Sequence, residues 1–198
     1  MPARDPAAPS AGGIVAKRGA APPTIRCFVA LQPDEAALEQ LDQLARAQHA
    51  RFASARRMRR ENLHLTLAFI GALEADRAQQ VAAKLAARPP TPFDWSLDAV
   101  GAFGGGRVLW VGGADAQLDA LAAWARGLLD EIGVPFDRKP FVAHVTLLRN
   151  VPREAARDAA SSIEPPILWH ARAPVLLESK TDSNGIRYVP VTVRADNG

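Results

Sequence analysis

The sequence has a single cysteine, no long hydrophobic run and no marked excess of charge of one sign. Cys27 stands alone among 198 residues, which excludes an intramolecular disulfide and a cysteine-based zinc or iron–sulfur site. No apolar stretch approaches the roughly 20 residues that span a bilayer, so we expect no membrane segment. The formal net charge of +3 does not indicate a strongly basic nucleic-acid coat. With 48% hydrophobic and 23% charged residues, the composition is typical of a globular domain.

The first residues are poor in large apolar side chains. Residues 1–23 consist mainly of Ala, Pro and Gly, and we expect them to be disordered. Gly, Lys and Arg interrupt the one short apolar stretch near Ile14, which argues against a signal peptide. We therefore expect a cytoplasmic protein with one folded domain over residues 24–194 and a polar tail over residues 195–198.

Hydrophobic periodicity predicts strands mixed with helices, without a regular βαβ rhythm. The predicted strands are 24–31, 52–58, 63–70 (stopped by Gly71), 93–103, 107–111, 141–148, 167–178 and 186–193, with a turn at Asn184-Gly185 before the last. The predicted helices are 33–48, 74–87, 114–132 and a short one at 152–162. This order favours an α+β fold with largely antiparallel sheet over a doubly wound parallel sheet.

Two of the four histidines begin nearly the same short motif, HLTL at His64 and HVTL at His144. Random placement would give roughly 0.1 His-x-Thr matches in the whole chain. Both copies lie in predicted strands, where residues i and i+2 share a face. His64 with Thr66, and His144 with Thr146, should therefore face one way while the leucines face a core. Two such lobes could bring both pairs together across a groove.

This set of side chains fits phosphodiester chemistry. Two imidazoles can serve as one acid and one base near neutral pH, and threonine hydroxyls can donate to phosphate oxygens. Arg149, five residues after His144, could add a guanidinium group to the phosphate. The sequence shows no carboxylate set suited to a metal ion, so we expect neither a metal nor a cofactor. His49 and His170 stand outside any motif, and we interpret them as structural or surface residues.

A cluster of arginines precedes the first motif. Its members are Arg51, Arg56, Arg57, Arg59 and Arg60. The cluster fits a solvated face, but its position also allows contact with an RNA backbone. The glycines at 104–106 lack the Lys-Ser/Thr ending of a P-loop, and we interpret them as a hairpin turn.

The segments ENLHLTLAFIG and KPFVAHVTLLRN resemble the two signatures of the 2H phosphoesterase superfamily. Within it, the chain is most similar to bacterial and archaeal RNA 2′,3′-cyclic phosphodiesterases, historically called 2′–5′ RNA ligases. The segments IRCFVAL, RVLWVG, LLESK and GIRYVPV extend the resemblance over residues 24–194 in order.

The resemblance implies a bilobal fold with two pseudo-two-fold-related lobes, outer helices and a central groove. It also implies metal-free hydrolysis of an RNA terminal 2′,3′-cyclic phosphate to a 2′-phosphomonoester. His64 would be the proton donor and His144 the proton acceptor. Thr66, Thr146 and Arg149 would bind the phosphate, and Phe28 would contact the base. We expect a monomer whose partner is RNA with a cyclic phosphate end.

Three other functions remain compatible with these residues. The chain could be a noncatalytic module that binds RNA ends, in which case the histidines only recognise phosphate. It could act on a small cyclic nucleotide instead of RNA. It could also join RNA ends by 2′–5′ ligation, the reverse sense of similar chemistry.

Overall fold

The computed structural model describes residues 22–89, 91–103, 105, 107–152, 160–183 and 185–193. The disorder predicted for residues 1–23 and the tail at 195–198 lie almost wholly outside these ranges. The described strands are β1 (Thr24–Leu31), β2 (Arg56–Arg57), β3 (Leu65–Glu74), β4 (Phe93–Phe103), β5 (Val108–Gly112), β6 (His144–Arg149), β7 (Ser161–Ala171), β8 (Val175–Asp182) and β9 (Gly185–Pro190). The described helices are α1 (Glu35–Arg51), α2 (Ala75–Ala86) and α3 (Ala116–Glu131), with a 3₁₀ turn at Arg60–Asn62.

The described strands form one sheet with the order β7-β4-β5-β6-β3-β1-β8-β9, and β2 pairs with β6. Every pairing between them is antiparallel, so the predicted α+β class is confirmed. The sheet has two four-stranded halves, β3-β1-β8-β9 and β6-β5-β4-β7. A single residue pair, Leu65 with Val145, joins them through β3 and β6. The two strands that carry the His-x-Thr motifs therefore meet at the centre.

Helices α1 and α3 connect the two halves of the sheet. Helix α1 follows β1 in the chain but packs against β6 and β7, in the other half. Helix α3 follows β5 and likewise crosses over to pack against β3. Asp34 fixes the start of α1, since its Oδ1 accepts from the Ala37 N–H at 3.0 Å and its Oδ2 from the His170 N–H of β7 at 2.8 Å. One buried core therefore runs through both halves.

Several predicted strands differ from the structure. The strand at 52–58 is wrong except for β2, because α1 continues to Arg51 and the Phe52 N–H caps it through the Gln48 and His49 carbonyls. Gly71 does not stop β3, which runs to Glu74; its φ of +89° occurs inside the strand at an irregularity in the pairing with β1. The strand predicted at 167–178 is two strands, since Pro174, which has no N–H, lies in the connection between β7 and β8.

The helix predicted at 152–162 is also not observed where the chain is described. Residues 153–159 lie outside the described residues, and β7 already begins at Ser161. The final strand is shorter than predicted and ends at Pro190, while the φ of +105° at Gly185 fits the predicted turn. None of the described helices is long and apolar enough to cross a membrane.

Candidate active site

The two histidine motifs lie side by side in the middle of the sheet. His64 directly precedes β3, and His144 is the first residue of β6. Their neighbours Leu65 and Val145 form the pair that joins the two halves, and both are fully buried. Leu65 and Val145 therefore point into the core, and the His and Thr side chains of both motifs lie on the opposite face.

Both imidazoles are held in the same way. Nδ1 of His64 donates to the backbone carbonyl oxygen of Asn62 at 2.7 Å, and Nδ1 of His144 donates to that of Val142 at 2.7 Å. A carbonyl oxygen can only accept, so Nδ1 carries the proton in each neutral ring. Nε2 is then the atom left for proton transfer. In His64 this atom also lies 3.0 Å from Thr66 Oγ1, whose hydroxyl donates to it.

Aromatic rings pack around each imidazole. The rings of Phe28 and Tyr188 have centroids 4.8 and 5.0 Å from that of His64. The rings of Phe103 and Trp110 lie 4.8 and 6.2 Å from that of His144. This packing removes water from the histidines and limits the orientations that the rings can adopt.

Phe28, which the sequence suggested as a contact for the base, is almost fully buried. The side chain is only 4% exposed, and its ring packs against both His64 and Tyr188. A nucleobase has almost no surface of Phe28 to stack upon. The ring of Phe28 packs directly against the imidazole of His64.

Burial lowers the pKa of both histidines. The pKa of His64 falls from 6.5 to about 4, chiefly because desolvation outweighs the opposing effect of the bond to the Asn62 carbonyl, and the nearby His144 and Arg149 lower it further. Desolvation is also the main cause of the lowered pKa of His144, and Arg149 adds to it. In the absence of a bound anion, both rings are therefore mostly neutral at pH 7.

An extra residue in β3 reverses the alternation of side chains beyond the first motif. Thr66 and Ala68 lie opposite consecutive residues of β1, so Leu67 between them has no partner in the register. After such a bulge the next side chains change faces. Leu67 and Ala68 are both buried, and Phe69 emerges beyond them with 37% of its surface exposed.

The same irregularity occurs in β6. Thr146 and Leu148 lie opposite consecutive residues of β5, so Leu147 is the extra residue. Leu147 and Leu148 are both fully buried. The bulge returns Arg149 to the face of His144 and Thr146, although strict alternation from His144 would send it to the other face.

Phe69 and Arg149 are thus equivalent residues of the two halves, each five positions after its histidine. Because β3 and β6 are antiparallel, these two side chains lie toward opposite ends of the site. The Phe69 end is aromatic and the Arg149 end is cationic, so the two ends of the site offer different contacts to a bound substrate.

A cavity of about 650 Å³ opens at the aromatic end. Its walls include Thr66 and His144, the apolar side chains Phe69, Phe103, Phe141 and Val142, and the basic side chains Arg126 and Lys139. The guanidinium of Arg126 lies 5.9 Å from the ring centroid of Phe141 and also donates to the Leu67 carbonyl. Asp137 also lines the cavity and pairs with Lys139 at 2.9 Å, so Arg126 and the apolar ring surfaces are the features that suit a nucleotide.

The structure brings together His64, Thr66, His144, Thr146 and Arg149 on one face of the sheet. The spacing within the motifs predicts this for the two His-Thr pairs but not for Arg149, which depends on the bulge in β6. His49 and His170 lie apart from them; Nε2 of His49 bonds to the Ala55 carbonyl, and His170 pairs with Asp94. Within the described ranges, no group of three or more His, Cys, Asp or Glu side chains is spaced to hold a metal ion.

The sequence analysis did not find several residues that the structure places at the site, among them Asn62, Phe69, Phe103 and Tyr188. Phe69 could have been found, because it occupies in the first motif the position that Arg149 occupies in the second. Asn62 stands two residues before its histidine, as Val142 does before His144, but nothing local shows that its carbonyl would accept from the ring. Phe103 and Tyr188 reach the site only through the pairing of distant strands.

Comparison with known proteins gives a consistent family. The family model described as LigT-like phosphoesterase matches residues 31–110. An RNA 2′,3′-cyclic phosphodiesterase of Archaeoglobus fulgidus is 30% identical over 129 residues, covering 63% of this chain and 72% of that protein. A protein of the same description from Escherichia coli is 32% identical over 151 residues, covering 74% of this chain and 82% of that protein.

Solved structures agree with the sequence comparisons. The crystal structure of Escherichia coli LigT in its apo form superposes with a TM-score of 0.68 at 28% identity, over 86% of this chain and 96% of that one. The structure of the same protein with 3′-AMP gives a TM-score of 0.69 at 24% identity, over 86% and 97%, and shows the shared fold. The chain therefore belongs to the family of LigT-like phosphoesterases, and it is a phosphoesterase.

Proposed function

We propose that this enzyme hydrolyses the 2′,3′-cyclic phosphate at the 3′ end of RNA to a 2′-phosphomonoester, using two histidines and no metal. The observation that carries this proposal is the matched pair of imidazoles. Each is anchored through Nδ1 to a carbonyl two residues earlier, and each presents Nε2 from one of two adjoining strands. The two relatives named RNA 2′,3′-cyclic phosphodiesterase support the substrate.

In the proposed reaction, His144 accepts a proton from water at Nε2 while the water oxygen attacks phosphorus. His64 donates the proton on its Nε2 to the 3′ oxygen as the bond between phosphorus and that oxygen breaks. The products are a free 3′-hydroxyl and a 2′-phosphomonoester. At the end of the cycle His144 holds the proton taken from water and His64 lacks the one it gave, so one proton must return through solvent. The hydroxyls of Thr66 and Thr146 donate to the nonbridging oxygens, and Arg149 offsets the charge that develops on them.

The donor role requires a charged His64, although burial lowers its pKa to about 4. A phosphodiester monoanion between the rings favours the charged imidazole and raises the pKa of both. We therefore expect substrate to bind together with a proton. Thr66 would turn its hydroxyl from Nε2 toward the phosphate when Nε2 becomes protonated.

The terminal base fits the aromatic cavity better than the surface of Phe28. Phe69, Phe103 and Phe141 offer ring surface beside His144, and aromatic stacking tolerates any base. Phe28, which the sequence suggested for this contact, packs against the imidazole of His64 instead. The cytoplasmic location and monomeric state remain predictions.

The test uses a short RNA that ends in a 2′,3′-cyclic phosphate. We expect ³¹P NMR to show the 2′-phosphomonoester as the main product, because a rigid site aligns only one ring oxygen with the donor. Mainly 3′-phosphate would contradict the role of His64. Binding of the RNA without turnover would favour a noncatalytic RNA-end module.

The order of the two histidines has its own test. A substrate with sulfur in place of the 3′ oxygen needs little protonation of its leaving group. We expect this substrate to restore much of the activity that His64→Ala loses and little of that which His144→Ala loses. The opposite result would exchange the two roles.

A further inference from the structure

A second cavity, of about 340 Å³, lies next to the His64 side of the site. It is lined by Arg56, Arg57, Met58, Arg59, Asn62, Gly185, Ile186 and Tyr188. Three of these lining residues are arginines, and none is Asp or Glu. Tyr188 links the cavity to the site, because its ring lies 5.0 Å from the His64 ring. We call this cavity the arginine pocket.

The structure divides the arginine cluster of the sequence into two groups. Arg57 donates to the buried carboxylate of Asp42 at 2.6 Å, and Arg60 lies 2.5 Å from Glu35. These two side chains attach the segment to α1. Arg57 also lies opposite Leu148 in the β2–β6 pairing, so its side chain and that of Arg56 point to opposite faces of the strand.

Arg56 lies directly opposite Arg149 in the β2–β6 pairing. Directly opposed residues of antiparallel strands share a face with their Cβ atoms about 5 Å apart, and like charges at such positions destabilise the sheet. A bound anion would remove that repulsion. The backbone of this segment is held to β6 next to Arg56, since the Met58 N–H donates to the Leu147 carbonyl at 2.8 Å.

The difference between the aromatic and cationic ends of the site indicates which phosphate of the substrate this anion would be. A terminal base in the aromatic cavity, with the cyclic phosphate at the histidines, leaves the rest of an RNA chain to depart toward Arg149. Beyond Arg149 lie Arg56 and the pocket that Arg59 also lines. Arg59 already has partners, Glu61 at 3.7 Å among them, and a phosphate would compete with these for its guanidinium.

We propose that the arginine pocket binds the phosphodiester on the 5′ side of the terminal nucleotide, so that the enzyme prefers RNA chains to free cyclic mononucleotides. This inference rests on the proposed function for the chemistry at the histidines. It adds a second phosphate site with Arg56 and Arg59 as its ligands. The charge-assisted bonds from guanidinium to phosphate supply the preference.

The experiment compares a 2′,3′-cyclic mononucleotide with a trinucleotide that ends in the same cyclic nucleotide. We expect kcat/KM to be about tenfold higher for the trinucleotide, the size of effect that one or two charged hydrogen bonds provide. The double variant Arg56→Gln/Arg59→Gln should lose this advantage and keep mononucleotide activity within about twofold. Its salt dependence with RNA should also weaken, by about 0.7 in the log–log slope for each phosphate that the arginines no longer neutralise.

The matched control is Arg172→Gln, which removes an exposed arginine from the connection between β7 and β8. It should leave both substrates unaffected. Equal losses on both substrates in the double variant, or no preference in the wild type, would overturn the arginine pocket while leaving the proposed function intact.

Absence of turnover with either substrate would instead refute the proposed function. Binding of a labelled trinucleotide 3′-phosphate then decides the pocket independently. Weaker binding by the double variant than by wild type and Arg172→Gln would support it, and equal binding by all three proteins would refute it.

Discussion

Asn62 connects the last strand of the sheet to the imidazole of His64. Its Nδ2 donates to the Ile186 carbonyl at 2.8 Å, its Oδ1 accepts from the Tyr188 N–H at 3.1 Å, and its own carbonyl accepts from Nδ1 of His64 at 2.7 Å. The side chain is buried, with 6% of its surface exposed. Asn62 thus fixes both the ring orientation of His64 and the position of Tyr188 beside it.

Replacing Asn62 by Ala should lower kcat more than it affects KM. The carbonyl would lose its fixed position, and His64 would lose the alignment of Nε2 on which proton transfer depends. We expect a loss of about tenfold or more in kcat and about 1–3 kcal/mol of stability from the two lost side-chain bonds. Gln48→Ala, which removes another buried amide, is the control and should reduce stability without a comparable loss of kcat.

Replacing either histidine, in His64→Ala or His144→Ala, should reduce turnover by about 10²–10⁴, the usual contribution of one general acid or base. Both variants should fold, because most of the buried core lies on the opposite face of β3 and β6. Circular dichroism and thermal melting will check this. His170→Ala, on the far edge of the sheet, serves as the control. Near wild-type turnover in either active-site variant would show that the two-histidine mechanism is wrong.

Much of the site could be predicted because it depends on local periodicity. The spacing of two within each motif places His64 with Thr66, and His144 with Thr146, on one face of a strand. The leucines and valine between them belong to the core, as the sequence indicated. The duplication of the motif also indicated two halves that meet at these strands.

The remaining features depend on pairing between distant strands. Strict alternation places Arg149 on the wrong face, and only the extra Leu147 in the register brings it back. Strand β1 is apolar on both faces, so its sequence does not reveal that Phe28 packs against His64. The bonds from Asn62 span more than a hundred residues, and no pattern around Asn62 indicates them.

Activity should be insensitive to chelators. The proposed chemistry uses imidazoles for proton transfer, with hydroxyls and a guanidinium to stabilise negative charge, so no step calls for a divalent ion. We expect the same initial rate on the cyclic phosphate substrate before and after incubation with excess EDTA. A rate that disappears with EDTA and returns with a divalent cation would contradict this mechanism.

The pH profile of kcat/KM should be bell-shaped, with its maximum between pH 4 and 6.5. Catalysis needs one neutral and one charged imidazole, and kcat/KM reports the pKa values of the free enzyme. The pKa of His64 is about 4, and the pKa of His144 is lowered from its ordinary value of 6.5. Arg149→Gln removes a positive charge that lowers both pKa values, so both limbs should move to higher pH. A maximum above pH 7.5 in the wild type would assign the profile to other groups.

Burial of His64 should make the protein less stable as the solution becomes acidic. The unfolded chain protonates this ring at pH 6.5, whereas the folded protein resists until about pH 4. Between those values the unfolded state binds more protons, so the free energy of unfolding falls as pH is lowered from 6.5 to 4. The contribution of His64 is on the order of 2–3 kcal/mol at pH 4. Urea unfolding of His64→Asn across this range should therefore show a shallower decline than wild type, since asparagine does not titrate. Equal slopes for wild type and His64→Asn would mean that the folded state protonates His64 as readily as the unfolded chain does.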